Sequence, residues 1–235
     1  MPAATYDVAY RAHLPRASHT GTFRFGKPDD YTFEPGQYFS LTLATREGEQ
    51  TKHFSHCDAP RDPHIELTTR LTGSAFKDAL LALEPHQRLK ITGPRGRLTV
   101  PEGVTRVGFL VGGVGITPAR SIIRDAVQRG TGLEVLAVYG NLDQSCIPFK
   151  AEFDGYEAET PTIRFVHVLQ TPLPGWTGEE GLITAGLVRR HCDPLDGRYW
   201  ISAGPPAMSE AMRRVAADLA LPADSFALEL FTGYA

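Results

Sequence analysis

The chain has 235 residues, of which 42% are hydrophobic, enough for one large domain or two small domains with real cores. Its 24 basic and 27 acidic residues nearly cancel, which argues against nucleic acid or an anionic membrane surface as the main partner. The opening stretch MPAATYDVAY lacks a signal-peptide pattern, and no apolar run reaches the roughly 18 residues of a membrane span, so we expect a cytoplasmic protein.

The first half of the chain reads as short strands separated by turn residues. The candidates, in chain order, are YDVAYRAHL, GTFRFG, QYFSLTL, KHFSH, HIELTTR and RLKITG. One helical pattern, Gly73 to Leu83, interrupts them. Short strands at close spacing are typical of an antiparallel barrel. We therefore predict an N-terminal six-stranded antiparallel β-barrel with one helix over residues 1–102.

The second half changes to alternating strands and helices. The predicted strands are RVGFLV, LEVLAVYG, TIRFVHVL, RYWISAG and FALELF, with helical patterns between them. In the helix ARSIIRDAVQRG, Ile122, Ile123, Ala126 and Val127 share one face, and Gly130 ends the helix. This alternation predicts an α/β domain with a five-stranded parallel sheet over residues 103–235.

The three cysteines do not indicate a metal site or a disulfide framework. Cys57, Cys146 and Cys192 are widely spaced and form no C-x-x-C pair. An iron–sulfur cluster needs four ligands of this kind, so we expect no metal and interpret the cysteines as small hydrophobic side chains.

The stretch LVGGVGITP lies where an open parallel sheet binds ligands, after its first strand and before its first helix. Gly112, Gly113 and Gly115 allow backbone N–H groups to approach an anion, Thr117 is a candidate N-cap, and Pro118 suits the first helical position. The pattern is neither G-x-G-x-x-G nor a P-loop, but the free N–H groups and the helix dipole favour a pyrophosphate. It predicts a nucleotide site.

A second helix that begins at glycine lies in the barrel half. Gly73 and Ser74 open the single helix there, a weak signal by itself. An anion site in each half would bring two nucleotides together between the two domains.

Eight short motifs occur in the order found in one known family. They are EPGQYFSL, KHFSHCDAP, GSAFKDAL, ITGPRG, GGVGITP, VYGN, AGPPAM and ELF. Together they resemble the ferredoxin-NADP reductase superfamily over essentially the whole chain. The resemblance implies an FAD-binding barrel followed by an NAD(P)-binding domain, and an enzyme that passes hydride from NAD(P)H to FAD.

The resemblance implies specific flavin contacts in the barrel. Phe54 would pack on the isoalloxazine, Ser55 would offer its hydroxyl to N5, and His53 lies between Phe54 and Lys52 in the same motif. Lys52 stands where relatives have Arg, which keeps the charge but loses the bidentate fork. Phe76 stands where many relatives have a hydroxyl. The implied phosphate contacts are Arg70, Gly73, Ser74 and Ala75.

The resemblance also implies contacts in the second domain. The implied nicotinamide-nucleotide contacts are Gly112, Gly113, Gly115, Thr117, Asn141, Gly204 and Pro205. Ala203 replaces the usual Cys, and Met208 falls on a helical stripe that we interpret mainly as core. Glu229 and Phe231 match the terminal E-x-aromatic motif, in which the aromatic ring shields the flavin, and Tyr234 is a competing aromatic.

The acceptor and the nucleotide are left open by the sequence. Leu142 stands where many relatives place Arg, and Asp143 would repel a 2′-phosphate, which favours NADH slightly, although Arg164 is a candidate neighbour. A ferredoxin or flavodoxin is the leading acceptor. The alternatives are a reductase of free flavin, ferric iron or another small acceptor, and a non-catalytic nucleotide-binding regulatory subunit.

Overall fold

The computed structural model describes residues 3–192 and 197–231. In the first half it contains six strands and one helix, as the sequence predicts. The strands are β1 (Ala4–Ala17), β2 (Thr20–Gly26), β3 (Tyr38–Thr45), β4 (Gly48–Ser55), β5 (His64–Arg70) and β6 (Arg88–Arg95), and the helix is α1 (Ala75–Leu81).

The six strands form one antiparallel sheet in the order β4-β3-β6-β1-β2-β5, curled into a half-barrel. Side chains alternate between its two faces, so Phe23 and Phe25 of β2 and Ile65 and Leu67 of β5 all enter the same core. Phe76 of α1 joins this core. Because β4 is an edge strand, its outer backbone groups remain outside the sheet's hydrogen-bond ladder.

The second half alternates between strands and helices. Its strands are β7 (Arg106–Gly112), β8 (Glu134–Asn141), β9 (Ile163–Leu169), β10 (Glu179–Glu180), β11 (Tyr199–Gly204) and β12 (Phe226–Leu230). Its helices are α2 (Ile116–Arg129), α3 (Lys150–Glu159), α4 (Ala185–His191) and α5 (Pro206–Asp218). Within the described ranges, no helix has the length and apolar character needed to cross a bilayer.

The second sheet is parallel, with the order β10-β9-β8-β7-β11-β12. The predicted five strands are confirmed, and the two-residue β10 adds a sixth at the edge. Alternating side chains bury both faces, since Phe109 and Tyr139 pack into the core on one side and Leu110 and Val138 into the core on the other. The predicted domain boundary between residues 102 and 103 lies between β6 and β7 and stays a prediction.

The structure confirms the predicted C-terminal end of helix α2 and corrects the predicted N-terminal end. Gly130 ends the helix in a left-handed conformation with φ of 60°, and its N–H bonds the carbonyls of the last turn. The predicted N-cap is wrong, because the helix already begins at Ile116, after Gly115. Thr117 lies inside the first turn, where its hydroxyl donates to the Val114 carbonyl at 3.0 Å, and Pro118 is the third helical residue.

A buried ion network joins α2 to the barrel. Arg120 of α2 lies 2.9 Å from Glu66 of β5 and 2.8 Å from Glu152 of α3, and its exposed fraction is only 4%. It also donates to the carbonyl of Cys57. Burial alone raises the pKa of Glu66, but the hydrogen bond from His64 and the charges of Arg120 and of Arg24 on β2 outweigh burial and hold that pKa well below its usual range.

We expect Arg120→Met to destabilise the protein by about 3–5 kcal/mol, because it leaves buried Glu66 and half-buried Glu152 without their shared cation. Arg214→Met is the matched control, since Arg214 is exposed and its ion pair is with Glu210, one helical turn away. Thermal unfolding measures both changes. Equal effects of the two substitutions would contradict the role of Arg120.

Candidate active site

A cavity of about 230 Å³ lies where the last residues of β4 meet the last residues of β12. Barrel residues and C-terminal residues line it together. The lining residues are Tyr38, His53, Phe54, Ser55, Glu229, Leu230 and Phe231. The structure thus brings the predicted catalytic residues Ser55, Glu229 and Phe231 to one place.

Ser55 and Glu229 face each other across this cavity. The Ser55 hydroxyl donates to Oε2 of Glu229 at 3.4 Å, although the two residues are 174 positions apart in the sequence. Burial raises the pKa of Glu229 to about 7, and the hydrogen bond from Ser55 opposes the rise only in part. The pair can therefore hold or release a proton near neutral pH.

Two neighbouring predicted contacts on β4, His53 and Phe54, point to opposite faces of the strand. Phe54 is buried in the barrel core beside Phe76, with ring centroids 5.8 Å apart, and also lines the cavity. His53 is exposed and shares a hydrogen bond of 2.8 Å with the Ser40 hydroxyl, and its ring lies edge-on to Tyr38. The alternation of the strand thus turns Phe54 towards the barrel core and His53 towards solvent, and both border the cavity.

The predicted phosphate contacts of the barrel lie around the start of α1. Gly73 has φ of 72° and an open space beside it, and Ser74 and Ala75 follow at the start of the helix. Arg70 is exposed at the end of β5, and Lys52 lies on β4. Lys77, which no sequence motif marks as a contact, places its ammonium 4.8 Å from the centroid of the Phe54 ring. Its only sequence signal is a lysine next to Phe76.

Two glycines of the glycine-rich loop have different surroundings, because Gly115 is tightly packed and Gly113 is open. A Cβ on Gly115 would come within 2.2 Å of the Ala203 carbonyl oxygen, so this glycine lets the loop pack against β11. Gly113 has φ of 51° and no atom within 4 Å of a Cβ position, so its surroundings are open to a ligand. Tyr139 fixes the loop by donating from its hydroxyl to the Gly113 carbonyl at 2.9 Å.

The end of β11 borders the same loop. A Cβ on Gly204 would lie 3.2 Å from Sδ of Met208, and one on Gly112 would lie 2.8 Å from it, so this side chain fits between the two backbones. The core interpretation of Met208 is confirmed, since it packs against the hydrophobic cluster. Pro205 precedes α5, and Ala203 is fully buried. Tyr234 lies outside the described residues.

The loop after β8 carries one charge at the carboxyl edge of the sheet. Asp143 accepts hydrogen bonds from the amide and hydroxyl of Ser145 at 2.8 and 2.7 Å, and these bonds lower its pKa. Asn141 is buried beside it, and its side-chain amide makes no hydrogen bond of normal geometry within the described ranges. Arg164, the candidate neighbour of this loop, does not lie at this edge, because it is the second residue of β9, pairs with Leu136 in register and donates to the His191 carbonyl.

The site fits the two nucleotides of a flavin reductase. Aromatic side chains, a hydroxyl and a carboxyl that titrates near neutrality border a cavity beside an edge strand, which suits a flavin ring. The open Gly113 and the first turn of the 14-residue α2 suit a dinucleotide phosphate. A half-barrel and an open parallel sheet with this site define a flavin-dependent NAD(P)H oxidoreductase.

Comparisons with known proteins agree with this class. The family described as an oxidoreductase NAD-binding domain matches residues 109–214. The chain is similar to ferredoxin–NADP reductase B of Sorangium cellulosum, with 30% identity over 190 residues, 79% of this chain and 78% of that protein. It is similar to NADH-cytochrome b5 reductase 1 of Neosartorya fischeri, with 30% identity over 212 residues, 84% of this chain and 68% of that protein.

A solved structure shows the same fold. The crystal structure of a cytochrome P450 reductase from Amycolatopsis aligns with a TM-score of 0.86 and 26% identity, over 99% of this chain and 72% of that chain. The present chain belongs to the ferredoxin-NADP reductase superfamily. It is an enzyme with FAD and NAD(P)H as its cofactors.

The raised pKa of Glu229 makes stability depend on pH. Because the folded pKa of about 7 exceeds the ordinary value of 4.5, this contribution is complete below pH 4.5 and is lost as the pH rises through 7. We expect the free energy of unfolding of the flavin-free Glu229→Gln protein to fall less between pH 5 and pH 8 than that of the wild type. Denaturant unfolding at both pH values measures the difference.

Glu210→Gln is the control for this measurement, since Glu210 is an exposed helical carboxylate and should leave the pH dependence as it is in the wild type. Equal pH dependence in the wild type and Glu229→Gln would rule out a neutral-range pKa for Glu229.

Proposed function

We propose that this enzyme passes electrons from NADH, through bound FAD, to a separate electron-carrier protein, with a ferredoxin or a flavodoxin as the first candidate, in the cytoplasm. The observation that carries the proposal is the meeting of Ser55 and Glu229 at 3.4 Å in the cavity between the two sheets. When bound, FAD supplies the conversion between a two-electron donor and a one-electron acceptor.

In this proposal, each cavity residue has one role. Ser55 donates its hydroxyl hydrogen bond towards flavin N5, and Glu229 holds a proton behind that hydroxyl at neutral pH. Phe231 covers the flavin and excludes water until the nicotinamide enters. Its position is fixed by its own backbone, since its N–H donates to the Gly204 carbonyl at 2.8 Å.

Two groups of residues would hold the two cofactors, in domains that we place at residues 1–102 and 103–235. The proposed flavin contacts are Lys52, His53, Phe54, Ser55, Arg70, Gly73, Ser74 and Ala75. The proposed nicotinamide-nucleotide contacts are Gly112, Gly113, Gly115, Thr117, Asn141, Gly204 and Pro205, together with Tyr234, which is outside the described residues.

The preference for NADH rests on the charge at the carboxyl edge of the parallel sheet. Asp143 is the only charged side chain among residues 141–146, and its lowered pKa keeps it ionised at neutral pH. An ionised carboxylate repels a 2′-phosphate but accepts a hydrogen bond from a ribose hydroxyl. Arg164 is the candidate that would favour NADPH, but it lies at the start of β9 and donates to the His191 carbonyl.

We expect a higher kcat/KM with NADH than with NADPH. We expect Asp143→Ser to raise kcat/KM for NADPH roughly 10-fold, because the like charge is removed while the turn-capping oxygen remains. Steady-state kinetics with both nucleotides measure the ratio, with Asp154→Ser as the control, since Asp154 pairs with Lys150 on α3. A wild type that prefers NADPH, or a ratio that Asp143→Ser leaves unchanged, would contradict the assignment.

The acceptor is expected to be separate from these 235 residues, because three dispersed cysteines cannot ligate a built-in iron–sulfur cluster. We expect NADH to bleach the flavin band rapidly under anaerobic conditions, and the reduced enzyme then to reduce ferredoxin or flavodoxin from the same organism. Stopped-flow spectroscopy follows both steps, and free riboflavin and ferric citrate serve as comparison acceptors.

Saturable reduction of the carrier protein, with the flavin retained through gel filtration, is the expected result. Rapid reduction of free flavin or ferric iron alone, with the flavin lost on the column, would instead identify a small-acceptor reductase. Failure of either nucleotide to bleach added FAD would overturn the proposed function itself.

A further inference from the structure

The loop between β4 and β5 (residues 56–63) begins directly after Ser55 and contacts helix α2. Its Asp62 is buried, with only 5% of its surface exposed. The Asp62 carboxylate accepts the N–H of Ala59 at 2.9 Å, and the Asp62 N–H donates to the Ala59 carbonyl at 2.9 Å. The carboxylate therefore closes a turn of the loop, so a side chain that binds it from outside also fixes the loop backbone.

Two side chains of α2 bind this carboxylate from the second domain. Arg124 makes two parallel bonds, from Nε to Oδ2 at 2.6 Å and from Nη2 to Oδ1 at 3.0 Å. Gln128, one helical turn further on, donates to Oδ1 at 2.8 Å. A bidentate pair between a guanidinium and a carboxylate fixes direction as well as distance, because both groups are planar. Asp62 therefore holds α2 in one orientation against the loop.

The helix makes two more contacts with the loop, nearer to its first turn. Arg120 donates to the Cys57 carbonyl, and the Ser121 hydroxyl donates to the Asp58 carbonyl at 2.6 Å. At a rise of about 1.5 Å per residue, the contacts with Asp62 begin about 6 Å further along the helix axis and extend to about 12 Å. Together these contacts form an interdomain clamp. Contacts at one end alone would let the helix tilt, whereas contacts spread along the axis define its angle.

The clamp lies between the two regions where the cofactors are expected. The glycine-rich loop precedes the first turn of α2, and Ser55 precedes the clamped loop. The reaction moves a hydride, two electrons with one hydrogen nucleus, from NADH, which becomes NAD⁺, to FAD, which becomes FADH⁻. It requires the two reacting atoms about 3–3.5 Å apart, and a displacement of about 1 Å can cost roughly 100-fold in rate. A tilt of α2 would cause such a displacement.

We propose that Asp62 is a positioning residue for hydride transfer, which acts through Arg124 and Gln128 to set the angle of α2 and hence the distance between nicotinamide and flavin. The inference rests on the proposed placement of the cofactors beside Ser55 and the glycine-rich loop. The Arg124 side chain is 29% exposed, against 4% for Arg120, so water screens its charge and its contribution to stability is the smaller one. The main effect of the contact is geometric.

The first test separates hydride transfer from cofactor binding. Anaerobic stopped-flow reduction over a range of NADH concentrations gives the limiting rate and the Kd of NADH, and fluorescence titration of the flavin-depleted chain gives the FAD affinity. We expect Arg124→Met to lower the limiting rate roughly 10- to 100-fold, with both affinities within about two-fold of the wild type. Arg129→Met is the matched control, since Arg129 is exposed on the same helix and pairs with Asp125.

Three further measurements assign the loss to the position of α2. Reduction of the flavin by dithionite, which does not use the nicotinamide loop, should keep its wild-type rate in Arg124→Met. NADH with deuterium at the transferred position should react more slowly than ordinary NADH in this variant, since hydride transfer limits the rate. In the flavin-free chain, hydrogen–deuterium exchange of residues 56–63 should be faster in Arg124→Met than in Arg129→Met, because the clamp holds this loop.

Gln128→Met is a milder variant that removes one bond to Asp62 and leaves the ion pair of Arg124 in place. We expect it to lower the limiting rate several-fold. It decides the question if Arg124→Met does not fold, because a wild-type limiting rate in Gln128→Met would then overturn the proposal.

A lower limiting rate with unchanged affinities and unchanged reduction by dithionite supports the proposal. A wild-type limiting rate in a folded Arg124→Met overturns it. A matching loss of NADH affinity, FAD affinity or reduction by dithionite also overturns it, because the cofactor sites themselves would then be damaged. In all these cases the proposed function stands. A wild type whose flavin neither nicotinamide nucleotide reduces overturns this inference and the proposed function together.

Discussion

The buried guanidinium of Arg120 is the interaction on which the arrangement of the two sheets depends. It joins Glu66 of the barrel to Glu152 of the second domain, and a charge removed from water in this way is tolerated only when its hydrogen bonds are satisfied. Both carboxylates accept from it, and the Phe149 ring lies 4.3 Å from its central carbon. Separation of the two halves would break the contact between Arg120 and Glu66, although Glu66 keeps Arg24 and Arg120 keeps Glu152, so the network favours one relative placement.

Helix α2 carries this constraint to both cofactor regions. Its first turn follows the glycine-rich loop, and its middle binds the barrel immediately after Ser55, because Arg120 donates to the Cys57 carbonyl and Ser121 donates to the Asp58 carbonyl at 2.6 Å. Helix α2 therefore connects the backbone at Cys57 and Asp58, just after Ser55, with the loop that we expect to hold the nicotinamide nucleotide. Reaction between two bound cofactors needs such fixed positions, because small displacements of the reacting atoms slow it strongly.

Burial acts in opposite directions on two groups near the expected flavin position. It raises the pKa of Glu229 towards neutrality and lowers that of Lys77, since low polarity disfavours both the carboxylate and the ammonium ion. Glu229 can then hold a proton beside Ser55, where reduction of a flavin requires one. The chemistry of the site therefore follows from where the two sheets exclude water.

The sequence by itself determined the succession of strands and helices, the change from barrel to α/β architecture and the position of the glycine-rich loop. These features follow from local periodicity and turn chemistry, which neighbouring residues encode. It did not reveal where α2 begins, because Thr117 was a plausible cap and the packing of Gly115 against Ala203 decided otherwise. Only the tertiary structure showed that Glu229 contacts Ser55 and that the Lys77 ammonium lies over the Phe54 ring. It also showed that Arg164 contacts the His191 carbonyl and not the loop after β8. Each of these contacts joins residues far apart in the chain, so it depends on how whole elements pack and not on any local pattern.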